Sequence, residues 1–377
     1  MAKRSVVRIF SHHMPFQLEQ LLRDVFAPAP GERVLVMVDL PRPGLPDNQD
    51  WAERRRMAAQ WREGFAHLGC TVAPLLQYPA TPGNNADLGP TGEADGHVVS
   101  IPEAIAHAHI VVAMTTHSAT APLSAFVKAR ADLRVASMPG VLRRMEKSAL
   151  AADYAEVARR THLLAARLTR AEGAEVTFST GHTFTFDLRY RIGHADDGQC
   201  TRDKTGFRLI NLPSGEAFIV PYEGERPGEP SRSAGVIPVG WEGQTALLHV
   251  AGNRITEVEG GAYATKLKNH FDVDPARRNV AELGLGCNDQ AVVMGVVLED
   301  EKAGFHWAYG RSEHLGGVTG PDTFSDPDHV VHHDIVYADG CPITIREVTL
   351  VYPEATRECI LRDNRYTLWP VQEKHDR

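Results

Sequence analysis

The sequence predicts an α/β domain with a doubly wound parallel sheet over residues 1–172, followed by a mostly antiparallel, β-rich domain over residues 173–377. Three observations point there. Before Gly173, short continuous apolar runs alternate with amphipathic stretches, the pattern of βαβ units. After it, short alternating segments punctuated by Gly and Pro follow one another, the pattern of antiparallel β structure. A chain of 377 residues, 43% hydrophobic and 23% charged, is long enough for two sizeable cores.

Pro15 to Phe26 reads as an amphipathic helix, its stripe made by Phe16, Leu18, Leu21, Leu22, Val25 and Phe26. Pro28 to Gly31 ends it, and Arg33 to Leu40 (RVLVMVDL) reads as a strand buried on both faces. A helix over Trp51–Leu68 closes at Gly69, and Thr71–Leu76 is a second strand, weakened by Pro74. Tyr78–His97, rich in Gly, Pro, Asn and Asp, is expected as a long surface loop. IPEAIAHA then opens a helix with Pro102 near its start. His109–Met114 and Leu133–Met138 are the third and fourth strands, with a helix through Lys128 between them. Lys147–Glu172 is expected as one long helix joining the domains.

Ligands often bind at the carboxyl ends of such strands, where Asp39, His117 and Ser137 lie. Neither G-x-G-x-x-G nor G-x-x-x-x-G-K-[ST] follows any of them, so no nucleotide role is expected and His117 reads as loop structure. The net charge of −8 lacks the basic footprint of a nucleic-acid binder. No apolar run reaches the length of a membrane span, and MAKRSVVRIFSHHMPF is not a signal peptide. Cys70, Cys200, Cys287, Cys341 and Cys359 are scattered without a C-x-x-C pair, which suits a reducing, cytoplasmic setting.

In the second half the expected strands are EVTFST, HTFTFDLRY, EAFIVPY, TALLHV, RITEVEG, AVVMGVVLE, FHWAYG, HDIVYA and PITIREVTLVYP, with short helical pieces at Lys266–Phe271 and Pro275–Asn279. Phe305–Tyr337 gathers His306, Glu313, His314, His329, His332, His333 and Asp334. His332 and Asp334 stand two apart, so on a strand they share a face and can reach one metal ion. Two more carboxylates stand out, Glu216 in NLPSGEAFIVP and Glu282 in AELGLGCND, where Gly284 and Gly286 let the backbone approach closely. Together Glu216, Glu282, His306, His332 and Asp334 form a donor set of oxygen and imidazole without thiolate. Such a set suits one or two divalent transition ions, Zn²⁺, Mn²⁺, Co²⁺ or Fe²⁺. Three carboxylates would let one bridge two ions roughly 3.5–4 Å apart.

NLPSGEAF, AELGLGCN, HWAYG and HHD, in that order, resemble the metal-binding segments of the thermophilic metallo-aminopeptidases of the aminopeptidase T and aminopeptidase S type. The resemblance implies that Glu216, Glu282, His306, His332 and Asp334 are metal ligands in a homodimeric enzyme whose site lies in the C-terminal domain. It implies hydrolysis of a C–N bond, an N-terminal peptide amide or related amide, by metal-activated water, on a short peptide or other small molecule. Where that family has a tyrosine after the H-x-A-x-G segment, this chain has Glu313, in the run Arg311, Ser312, Glu313, His314. Glu282 or Glu313 would then take the proton from water, and His314 or Arg311 would stabilise developing charge.

Two other activities resemble this pattern. Aromatic amine hydrolases of the 5-nitroanthranilate aminohydrolase type look similar overall; they replace an aromatic amino group with hydroxyl, chemistry that a variant without the peptidase tyrosine could do. The non-haem Fe(II) dioxygenases that cleave 2,5-dihydroxypyridine hold one ion with two His and one Asp, but have no acidic residue at the Glu216 place and His at the Glu282 place, whereas this chain keeps both glutamates. A metal-stabilised binding protein without catalysis is a further alternative.

Overall fold

The computed structural model describes residues 16–206 and 208–370, and the expectations for the amino-terminal fifteen residues lie outside them. The chain is a mixed α/β protein with one mainly parallel sheet and two antiparallel sheets.

The parallel sheet runs in the order Leu209–Asn211, Arg134–Ser137, Ile110–Met114, Arg33–Leu40 and Leu76–Pro79, with Thr71–Val72 also paired to Arg33–Leu40. Strand alternation sends Val34, Val36 and Val38 to one face, under the helices Leu18–Phe26 and Gln49–His67. It sends Leu35 and Met37 to the other, under Ile101–His107 and Thr120–Ala129. One strand of this sheet, Leu209–Asn211, comes from well beyond Gly173 and pairs in parallel with Arg134–Ser137. No helix among the described residues is long and apolar enough to cross a membrane.

Local details differ from the sequence reading for definable reasons. The second strand is split around Ala73–Leu75, where Pro74 cannot donate to the ladder. The expected loop at Tyr78–His97 contains a strand, Thr91–Ala94, that turns at Asp95-Gly96, both at positive φ, into His97–Ser100. The linking helix starts only at Tyr154, where the Asp153 carboxylate accepts from the amides of Ala155 and Glu156. AVVMGVVLE is not a strand. Glu299 accepts from the Val292 amide at 3.0 Å, and Asp300 from those of Met294 and Gly295 at 2.7 and 3.0 Å. These bonds fold the segment back into the short helix Val297–Asp300.

A five-stranded antiparallel sheet has the order His194–Asp196, Glu216–Ile219, Val280–Gly286, Phe305–Gly310, His332–Tyr337. An eight-stranded antiparallel sheet, from Arg254–Gly260 at one edge to Arg365–Tyr366 at the other, packs on one of its faces. Phe178, Phe184 and Phe186 from the larger sheet meet Leu283, Leu285, Phe305, Trp307 and Tyr337 in the shared core. The opposite face of the five-stranded sheet carries the polar residues considered next.

Candidate metal centre

Period-two alternation builds the site. In Phe305–Gly310, Phe305, Trp307 and Tyr309 enter the core, so His306 and Ala308 face the other way. In Glu216–Ile219, Ala217 and Ile219 are core residues, leaving Glu216 and Phe218 on the polar face. Cross-strand register then aligns Glu216 with Asp196 and Gly286, His306 with Gly284, and Asp334 with Ala308. Glu282 reaches this face through an irregularity. The register shifts between Val280 and Glu282, so Val280 joins the core with Tyr309 while Glu282, two residues on, lies opposite Ala308 on the site face. Gly284 is required here, because a Cβ at that position would lie 1.9 Å from His306 Nε2.

All five expected ligands come together. Three groups have ligand atoms within 4.8 Å of one another: Glu216, Glu282 and His306; Glu282, His332 and Asp334; and Glu301, His306 and Asp334. His306 Nε2 stands 3.1 Å from Glu216 Oε2 and 3.8 Å from Glu282 Oε1. His332 Nε2 stands 3.0 Å from Glu282 Oε2 and 3.6 Å from Asp334 Oδ1. Glu282 therefore offers one oxygen to each imidazole. Both rings are aimed from behind: His332 Nδ1 lies 2.7 Å from the Arg311 carbonyl and His306 Nδ1 3.3 Å from the Gly304 carbonyl. That arrangement leaves each Nε2 for the cluster, the usual backing of metal-binding imidazoles. Glu216, Glu282 and His306 are buried, and the cluster opens toward solvent at His332.

Three charged residues escaped the sequence reading. Lys302 is fully buried, with Nζ 2.5 Å from Glu216, 2.7 Å from Glu301 and 3.2 Å from Asp196. In the sequence Glu301-Lys302 looks like any surface pair, and the only signal for Asp196 is its place two residues beyond His194.

The donor set fits divalent cations on three counts. Glu216 Oε2 and His306 Nε2 are buried without a hydrogen-bond partner, which is costly unless something else satisfies them. The ligand atoms are carboxylate oxygens and imidazole nitrogens, the donors of Zn²⁺, Mn²⁺, Co²⁺ and Fe²⁺. Finally, the cluster holds more carboxylates than its own cations balance. Burial opposes the charge on Glu216 and Glu282, yet Lys302 and His306 hold Glu216 low, and His306 and His332 do so for Glu282. Burial raises Glu301 to about 8 and Asp196 to about 6 in spite of Lys302.

The other sequence-predicted residues lie beside this cluster rather than in it. Glu313 is exposed and paired with Arg311 at 2.8 Å. That pairing engages the Arg311 guanidinium, so Arg311 touches the centre through its backbone carbonyl. The His314 ring meets the His332 ring edge-on at 5.0 Å, and desolvation, followed by the neighbouring charges of His332 and Arg311, pushes its pKa down to about 4. Glu223 holds this loop: Ser312 Oγ, Thr319 Oγ1 and the Val318 amide donate to it at 2.7, 2.9 and 2.5 Å. His117 lies in the loop after Ile110–Met114 and belongs to none of the three groups. Asp39 accepts from the Thr116 amide and the Trp51 indole, which gives it a structural place.

No protein-family model and no curated protein matches the sequence. Six solved chains match the fold, and two of them are the following. One is wild-type AmpT (aminopeptidase T) from Thermus thermophilus, 16% identical, with a TM-score of 0.58 over 93% of this chain and 99% of that one. The other is 2,5-dihydroxypyridine dioxygenase from Pseudomonas putida KT2440, 17% identical, with a TM-score of 0.60 over 93% of this chain and 97% of that one. At such identity the likeness is one of fold, and the chain therefore shares its architecture with two enzymes of different chemistry.

Proposed function

We propose that the chain is a metal-dependent hydrolase that cleaves a C–N bond, an N-terminal peptide amide or related amide, in a short peptide or other small molecule. The observation that carries this reading is Glu282, which belongs to two ligand groups at once and turns one oxygen to each imidazole. A carboxylate so shared would be able to hold two ions at once, as in two-metal hydrolases. Asp196, Glu216, Glu282, Glu301 and Asp334 put five carboxyl groups around one ammonium, a surplus of acidic groups that supports divalent cations there.

Ions held there supply Lewis-acid polarisation of an amide carbonyl and lower the pKa of water. The chain does the rest. Glu216 with His306, and His332 with Asp334, hold the donor geometry, and the carbonyls of Gly304 and Arg311 fix the ring orientations. His314, next to His332 but outside the donor set, stays a neutral imidazole that can take the proton released by the attacking water and then pass that proton to the departing amine. Glu313, tied to Arg311, positions the loop rather than the reacting atoms.

The test is turnover of amino-acid anilides and short peptides by Zn²⁺-, Mn²⁺- or Co²⁺-loaded protein, beside the Glu282→Gln variant. Activity in the wild type and its loss in a folded variant are expected. Near-normal activity in Glu282→Gln would sink the assignment. The same assay, read as ammonia release from aminobenzoates, reports an aromatic amine hydrolase. A second reading, an Fe(II)-dependent ring-cleaving dioxygenase, is favoured by the fold shared with the dihydroxypyridine enzyme. It calls for oxygen uptake with Fe²⁺ and a hydroxylated pyridine.

A further inference from the structure

The metal cluster has a second border that is apolar. In the strand His194–Asp196, Ala195 packs against the core, so His194 and Asp196 face the site. Register pairs Asp196 with Glu216 and, two residues away on the same face, His194 with Phe218. The row continues from Phe218 to Gly284 and from Gly284 to His306. Gly284 has no side chain and the His306 ring lies over it, so Phe218 is the next side chain beyond that ring. On a face of carboxylates, imidazoles and small residues, Phe218 brings a hydrocarbon ring that is only partly buried. The exposed His194 ring stacks on it, with centroids 5.3 Å apart and planes inclined by 27°.

The loop that carries His314 reaches this pair. Gly316, at φ +104°, closes the turn Glu313–Leu315, and a Cβ on it would lie 3.8 Å from His194 Nε2. His314 itself lies against His332. The cluster is therefore bordered by His314 and His332 on one side and by Phe218 and His194 on the other. We infer that Phe218, backed by His194, determines specificity: its ring receives the flat apolar side chain of the residue that supplies the scissile carbonyl, so that aromatic N-terminal residues are favoured over small ones. The inference rests on the reading of the chain as a metal-dependent amide hydrolase. With the amine departing toward His314, the acyl residue lies on the opposite side of the cluster, against Phe218. A ring that keeps exposed surface beside buried polar groups is the kind of apolar wall on which a ligand ring packs, edge-on or offset.

The experiment uses the full chain loaded with Zn²⁺ and probes whose only ring is that of phenylalanine. Hydrolysis of Phe-Gly and Ala-Gly is followed by the release of glycine, and binding of phenylalanine hydroxamate and alanine hydroxamate by calorimetry. Wild type is expected to favour the phenylalanine member of each pair by about tenfold or more, in kcat/KM and in Kd. Phe218→Ala should erase that preference, with the loss in KM rather than kcat and with metal content as in wild type. Phe218→Leu, which keeps apolar bulk without a ring, should retain part of the preference, and His194→Ala should weaken it. Equal handling of both dipeptides by an active wild type, or an undiminished preference in Phe218→Ala, would overturn the inference and leave the hydrolase reading standing. Loss of metal in both Phe218 variants would also overturn it, by making the ring a prop of the ligands. A wild type that cleaves neither dipeptide and binds neither hydroxamate would overturn the hydrolase reading and the inference with it.

Discussion

Glu282 Oε2 and His332 Nε2 meet at 3.0 Å although their strands are not neighbours, because Phe305–Gly310 runs between them. The contact is possible since the residue between Glu282 and Asp334 in the register is Ala308, whose methyl group leaves the space open. Ala308→Leu should therefore separate the two sides of the cluster. Ala308 is fully buried, so the larger side chain should also cost about 1–3 kcal/mol. The metal-to-chain ratio and the denaturation midpoint together check this; a variant with unchanged metal content would show that the register does not set the site.

Gly284 gives a sharper case. An added methyl at Gly284 would fall 1.9 Å from His306 Nε2 and force the ring away from Glu216 and Glu282. Gly284→Ala is expected to lose the ion at His306 while retaining the fold. Circular dichroism establishes the fold, and metal analysis with turnover reports the site. Full metal content would remove His306 from the ligand set.

Proton linkage follows from the imidazoles. Burial opposes their charge, but Glu216 and Glu282 raise His306, and Asp334 and Glu282 raise His332, well above 6.5. In chelated protein their contribution to stability is fully present below pH 6.5 and is lost as pH rises through the raised values. Ligation needs neutral imidazole, so the ions displace protons and their affinity should increase with pH. Calorimetric titration in buffers of different ionisation enthalpy measures the release. Protein with ion at a hundredfold excess over its Kd should gain about 2.7 kcal/mol, and the chelated protein should melt lower. Buffer-independent heats would contradict the protonated starting state.

Glu223 is expected to act at a distance from the ions. Its carboxylate gathers Ser312, Val318, Thr319 and Asn279, and so shapes the loop that presents His314 and the Arg311 carbonyl. Glu223→Ala leaves these donors without their acceptor, at a cost of about 1–3 kcal/mol. It should depress kcat more than metal content. Loss of metal in parallel with activity would place Glu223 in the support of the ions themselves.

Much of the parallel sheet was legible because continuous apolar runs such as RVLVMVDL suit only strands covered on both faces. The His–x–Asp of the last site strand, and the alternation of Phe305, Trp307 and Tyr309 with His306 and Ala308, were legible for the same periodic reason. What stayed hidden depended on contacts distant in sequence. AVVMGVVLE has strand composition, but Glu299 and Asp300 capture its amides. Lys302 has the appearance of a solvated residue until Asp196, Glu216 and Glu301 enclose it. The departure from the peptidase pattern at Glu313 pointed to an acid–base group, yet its carboxylate faces Arg311 and solvent.

The most direct measurement is the metal content of purified protein loaded in turn with Zn²⁺, Mn²⁺, Co²⁺ and Fe²⁺, expressed as ions per chain beside the Glu282→Gln variant. Two ions per wild-type chain, and fewer in the variant, are expected of a shared Glu282. A single ion, held as iron and unaffected by loss of the Glu282 charge, would contradict the two-metal hydrolase.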